Sequence, residues 1–168
     1  MRMERSALII PRAELLQSTS PRVVEGKLDG AKPGIIVNSL MPADDGTRIT
    51  PLPSRFVPIF CFKRWMRFNP RKKEAPGFDP NYAPGDLIWQ SNDPDDVRVL
   101  SDETKFGPNG EAPLAVTFLN FFSLFPGVSM PIIVGFSKTS YRAGKDLYSL
   151  VRFCQGDMWS RAYALSSL

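Results

Sequence analysis

Residues 56–73 read FVPIFCFKRWMRFNPRKK, and how these side chains divide between core and solvent decides the fold and the surface the chain presents. The eighteen positions hold five aromatic and six basic residues and no acid. Phe, Trp, Val and Ile favour a pleated, half-buried surface, so 56–68 is expected to be a strand in spite of Pro58. Side chains alternate faces along a strand. The first half, 57–62, is apolar on both faces and is expected in the core. Beyond it, Lys63, Trp65 and Arg67 share one face, and Arg64, Met66 and Phe68 share the other. The row Lys63, Trp65, Arg67 spans about 13 to 14 Å at about 3.3 to 3.4 Å per residue. Such a row suits a single nucleic-acid strand: bases stack on the ring, worth about 1 to 3 kcal/mol each, while the cations meet phosphates. Arg71, Lys72 and Lys73 extend the positive track into the next loop. A plainer reading places Trp65 in the core and lets the basic ends reach out from the strand.

Charge along the chain reinforces the interest of this stretch. The net charge of +4 is mild, but residues 55–73 carry seven Lys+Arg and no acid, whereas 74–111 carry two against nine Asp+Glu. Two further segments join basic and aromatic residues: Lys138, Tyr141, Arg142 and Lys145, and Trp159 with Arg161 and Tyr163. Three such patches fit a nucleic-acid groove better than three unrelated core edges.

The composition excludes much chemistry. With no histidine, His-based triads, Cys-His dyads and His-containing zinc sites are gone, and two cysteines cannot build an all-cysteine zinc site. Cys61 and Cys154 sit among apolar neighbours and read as buried thiols in a reducing setting. GFSKTSYRAGKDL lacks the spacing of a phosphate-cradling P-loop, since eight residues separate Gly135 from Gly144 and Asp146 follows Lys145. Asp95, Glu103 and Lys105 resemble the Pro-Asp, Glu-x-Lys pattern of Mg²⁺-dependent nucleases, although NDPDD also reads as ordinary turn chemistry. No catalytic residue, metal or cofactor is expected.

Sixteen prolines and twelve glycines argue for short strands and many turns. Residues 1–30 lack a sustained period and are expected to be an arm or pre-domain segment, with the domain occupying 31–168. Strands are expected in PGIIVNSLM, at 56–68, in DLIWQS, DVRVLS and MPIIVGFS, and in DMWSRAYALSS; PLAVTFLNFFSLF is apolar but ambiguous in type. NPRKKEAPGFDPNYAPGD is a long loop of the kind that is functional or disordered. After Thr139 the period changes, predicting a helix over 140–154 that Gly144 weakens. The expected class is mostly β: a small, partly closed β-barrel of oligonucleotide/oligosaccharide-binding (OB) type with one helix before the last strand. No segment reaches the length of a membrane span, and the apolar run near the start is too short for a secretory signal.

VPIFCFKRWMRFNPR, PGDLIWQSNDPDD, KFGPNGE, MPIIVGFSKTSYRAGKDLYSLVRF and DMWSRAYALSS, taken together over 35–168, resemble a group of small bacteriophage single-stranded DNA-binding proteins. The resemblance implies an OB-type barrel, DNA protection and annealing in phage replication or recombination, action in the cytoplasm of the infected cell, and no catalysis. It places Lys63, Trp65, Arg67, Lys138, Tyr141, Arg142 and Lys145 on the ligand surface. The expected partners are single-stranded DNA, RNA as a second ligand class, further copies of the chain, and replication or recombination proteins. The chain departs from the pattern in one respect: many single-strand binders end in an acidic tail, and no acid follows Asp157 here. Two other functions remain open on the residues alone. One is a structural or assembly protein whose basic and acidic blocks pair between subunits, and the other is the Mg²⁺-dependent nuclease.

Overall fold

The computed structural model describes residues 9–26, 28–40 and 48–166. Residues 1–8, 27, 41–47 and 167–168 lie outside the described residues. The fold is mostly β: seven strands in two sheets and one main helix among the described residues. In chain order they are β1 (Ala13–Leu15), α1 (Pro21–Val24), β2 (Ile36–Asn38), β3 (Arg55–Phe68), β4 (Leu87–Ser91), α2 (Val97–Leu100), β5 (Ala115–Leu124), β6 (Ile132–Ser137), α3 (Tyr141–Phe153) and β7 (Tyr163–Ala164). β1 pairs antiparallel with β2, and the larger sheet has the order β4-β3-β5-β6, with β7 also on β3. No pairing among the described residues joins β4 to β6, so this order is open.

The chain divides into two compact units. Unit 1 comprises residues 1–61, 121–135 and 151–168; unit 2 comprises 62–120 and 136–150. In unit 1, Leu16, Val37 and Ile49 are buried together, with Val23, Leu28, Ala31 and Ile35 packed on them. Arg22 pairs with Glu14 and donates to the Ser39 carbonyl at 2.9 Å. The boundary expected near Ala31 therefore does not fall there: Leu16, 1% exposed, is as much core as Val37. A short apolar run without period hid this, because the buried leucine, Leu16, comes directly after the three residues of β1, whose own Leu15 is exposed. Further along in unit 1, the Phe56 ring stacks on Phe125 at 5.7 Å and lies 6.4 Å from Tyr163.

In unit 2, Trp89, Val99 and Ala115 form the core, with Trp65 and Ile88 against them. The strand expected at DVRVLS is instead the single helical turn α2. Asp96 caps it by accepting the Arg98 backbone N–H at 2.9 Å, and Val99 alone of the four residues is buried. Four residues are too few to separate a period of two from one of 3.6. The final strand is also shorter than expected, since Met158–Ser160 forms a tight helical turn and only Tyr163 and Ala164 pair, with Phe56 and Arg55.

The ambiguous apolar element became β5, and the helix expected over 140–154 is α3. Gly144 sits in it because of a close approach: a Cβ there would stand 2.7 Å from the Phe136 Cβ. Both cysteines are free and half-buried.

Candidate nucleic-acid interface

In residues 55–61 of β3, within unit 1, Phe56 and Pro58 are buried, but Phe60, expected in the core, is 49% exposed with its ring stacked on Phe122. In residues 62–68, within unit 2, Lys63 is exposed and the odd side is covered beyond it. Trp65 packs on the Trp89 cluster, and Arg67 is only 6% exposed. The register agrees, because Trp65 faces Ser91 and Arg67 faces Trp89 across the antiparallel pair.

Arg67 is consequently no part of an accessible surface. Its Nε donates to Glu103 Oε1 at 3.2 Å and its Nη2 to the Gly77 carbonyl at 2.8 Å. The other oxygen of Glu103 accepts Trp89 Nε1–H at 2.9 Å. A buried guanidinium needs a counter-charge and acceptors, and this arrangement supplies them to Nε and Nη2 while Nη1 is buried with no hydrogen-bond partner. Trp65 is half-buried in the same core, so of the expected row Lys63, Trp65, Arg67 only Lys63 is exposed.

On the opposite face Phe62, Arg64 and Met66 are half-buried and Phe68 is exposed, with Gln90 opposite Met66 and Leu87 opposite Phe68 across the β3–β4 pair. Phe68 is 39% and Leu87 38% exposed, and Gln90 is exposed. Arg64 lies with its guanidinium carbon 5.5 Å from the Phe62 ring centre, and its Nε donates to Asn92 Oδ1 at 2.8 Å. The result is a sheet face carrying ring, cation, thioether and ring at every second residue, which is what a stack of unpaired bases needs. Phe62 and Phe68 were assigned no role from sequence. The signal was present in their parity with Arg64, but nothing in the sequence said which parity the core would take.

The remaining expected residues are distributed as follows. Arg71, Lys72 and Lys73 are exposed on the loop after β3. Lys138, Arg142 and Lys145 are exposed at the start of α3, and Tyr141 is half-buried there; Ser140 Oγ closes that turn by accepting the Ser137 N–H at 3.0 Å. Trp159, 56% exposed, and exposed Arg161 belong to unit 1.

Three acids of the acidic block are paired with cations within unit 2. Asp96 binds Arg98, whose guanidinium lies 5.4 Å from the Trp89 ring centre; Lys105 donates to Asp102 at 3.0 Å; and Glu103 holds Arg67. The hydrogen bonds from the Arg98 side chain, then the one from its backbone, hold the Asp96 carboxyl well below the usual range, and Asp96 in turn raises Arg98. The Asp95, Glu103 and Lys105 of the nuclease pattern are thus engaged elsewhere in part: Glu103 with Arg67 and Trp89, Lys105 with Asp102. No group of three His, Cys, Asp or Glu among the described residues is placed to hold a metal. Nor is any helix among them long and apolar enough to cross a membrane.

Fold and face together define a small, mostly β protein with a half-buried ring-and-cation stripe that ends at exposed Phe68. The chain belongs to the Pam3 phage gp34-like protein family, whose model matches residues 2–168. The resemblance to phage proteins is therefore borne out at the level of a phage family. No curated protein and no solved structure matches the chain.

Proposed function

We propose that this protein is a non-sequence-specific single-stranded DNA-binding protein acting in phage DNA replication or recombination inside the infected cell. The observation that carries the reading is the stripe Phe62, Arg64, Met66, Phe68 on one face of β3 in unit 2, half-buried up to exposed Phe68 and followed directly by exposed Arg71, Lys72 and Lys73. Rings accept bases of any sequence, and flanking cations follow the phosphates. Lys63, Lys138, Arg142, Lys145, Trp159 and Arg161 are further exposed contacts in this reading, and Arg67 is not. An OB-type barrel belongs to the same proposal. Its support is the five-stranded sheet and the placing of α3 between β6 and β7. RNA as a second ligand, self-association and recruitment of replication proteins are part of the proposal as well. The assembly reading has less support, because Asp96, Asp102 and Glu103 already have partners inside unit 2.

The test is fluorescence anisotropy with labelled oligo-dT and with duplex DNA, at low and moderate salt with Mg²⁺ present. Tight binding of the single strand that weakens steeply with salt, with weaker duplex binding and intact DNA, is expected. No binding at low salt would end the proposal, and cleavage of the DNA would replace it with the nuclease.

A further inference from the structure

The sixteen residues 70–85 leave β3 and return to β4 as one long loop, and its order is built from within. Asn69, 2% exposed, stands at its neck. The Asn69 backbone N–H donates to the Asp86 carbonyl at 2.7 Å, and Gly85 N–H donates back to the Asn69 carbonyl at 2.9 Å. Its side chain fills the loop's interior. Nδ2 donates to the carbonyls of Asp79, Tyr82 and Ala83 at 2.9, 2.8 and 3.2 Å, while Oδ1 accepts the Asp79 N–H at 2.8 Å. A second tie comes from Arg67, whose Nη2 donates to the Gly77 carbonyl. Gly77 has φ +80°, and a Cβ there would stand 2.7 Å from Leu114 Cδ2, so the chain at the Arg67 tie must be glycine. At the neck, Gly85 has φ +90°, and a Cβ there would be 3.9 Å from Arg71 Cγ and Nε, which run alongside it.

One amide thus organises a loop rich in proline whose exposed side carries Arg71, Lys72 and Lys73. We infer that Asn69, with Arg67, is a positioning residue that holds loop 70–85 as a preorganised phosphate-binding element. The loop takes the sugar–phosphate backbone of the same strand whose bases lie on Phe62 and Phe68. This rests on the proposed single-strand binding. A loop already ordered loses little freedom when a ligand arrives, and its three cations displace counterions together. Buried Arg67 then has a function after all, acting through the loop and not by touching nucleic acid.

The experiment measures oligo-dT affinity against salt concentration for the wild type, for Asn69→Ala, and for the triple variant Arg71→Gln/Lys72→Gln/Lys73→Gln. Trypsin cleavage within 71–73 is followed in parallel. Each phosphate contact contributes about 0.7 to the salt slope for a single strand, so the triple variant should bind with a slope shallower by about 2. Asn69→Ala should be nicked faster at those residues and, at matched folded fraction, should lose about tenfold in affinity with a slope shallower by about 1 to 2. A merely structural role would leave that slope unchanged. The triple variant alters only exposed side chains, so it decides the loop's part even where Asn69→Ala does not fold. Asn69→Asp, which keeps the acceptor for Asp79 N–H and removes the donors, then decides the positioning. If the wild type binds and either the triple variant or the nicked Asn69 variant keeps the wild-type slope, the inference is overturned. If the wild type binds no single strand, the proposed function itself fails.

Discussion

Phe56 and Phe68 are both phenylalanines of β3, twelve positions apart, and they live in opposite surroundings. Phe56 is 1% exposed and stacked on Phe125, whereas Phe68 is 39% exposed beside Leu87. A strand has two faces but is not obliged to bury the same one throughout. Each compact unit covers its own stretch of β3 and decides there which side chains face water.

The comparison can be broken at either end. Phe56→Ala should cost most, about 3 to 5 kcal/mol, as expected for emptying a buried aromatic site, seen as a lower urea midpoint. Glu103→Ala should follow. It leaves the Arg67 guanidinium buried without its counter-charge, for about 3 kcal/mol, the low end of such losses because the Glu103 side chain keeps 37% exposure. Trp65→Ala should cost about 2 kcal/mol of stability, less than a fully buried indole, while oligo-dT affinity of the folded protein stays as in the wild type. Unchanged stability with lost affinity would return Trp65 to the ligand face.

Phe68→Ala should do the reverse, lowering stability by less than about 1 kcal/mol and weakening oligo-dT binding by about 1 to 3 kcal/mol. The smallest effect is at alkaline pH. Burial, and then the neighbouring Cys154, raise Tyr163 above its ordinary 10.0, so the folded phenol keeps a proton that the unfolded chain gives up first. Above pH 10 the unfolded state binds fewer protons and stability falls as pH rises. Tyr163→Phe should lose less melting temperature than the wild type across that range, and equal losses would show that the phenol has no part in it.

Much of this fold is written locally. β3, β4, β6 and α3 were legible because each is long enough, or flanked clearly enough, for its period to show. α2 was not, since Val-Arg-Val-Leu satisfies either period and the decision came from Asp96 as a cap and Val99 under Trp89. The stripe was half legible. The alternation along residues 62–68 is in the sequence, but the choice between Trp65 and Phe62 as the outward ring depends on Val99 and Ala115, residues far along the chain. Asn69 left no sequence signal at all, because a buried amide that gathers three carbonyls looks like any asparagine before a proline.

The division of the chain has a practical consequence. It passes between the two units four times, after residues 61, 120, 135 and 150, and each passage lies inside β3, β5, β6 or α3 and not in a linker. Neither unit is a cassette that genetic exchange could lift out, since any cut that separates them severs a ladder or a helical turn. A lineage carrying this fold would therefore inherit or lose the ring-bearing face and the aliphatic Leu16 core as one piece.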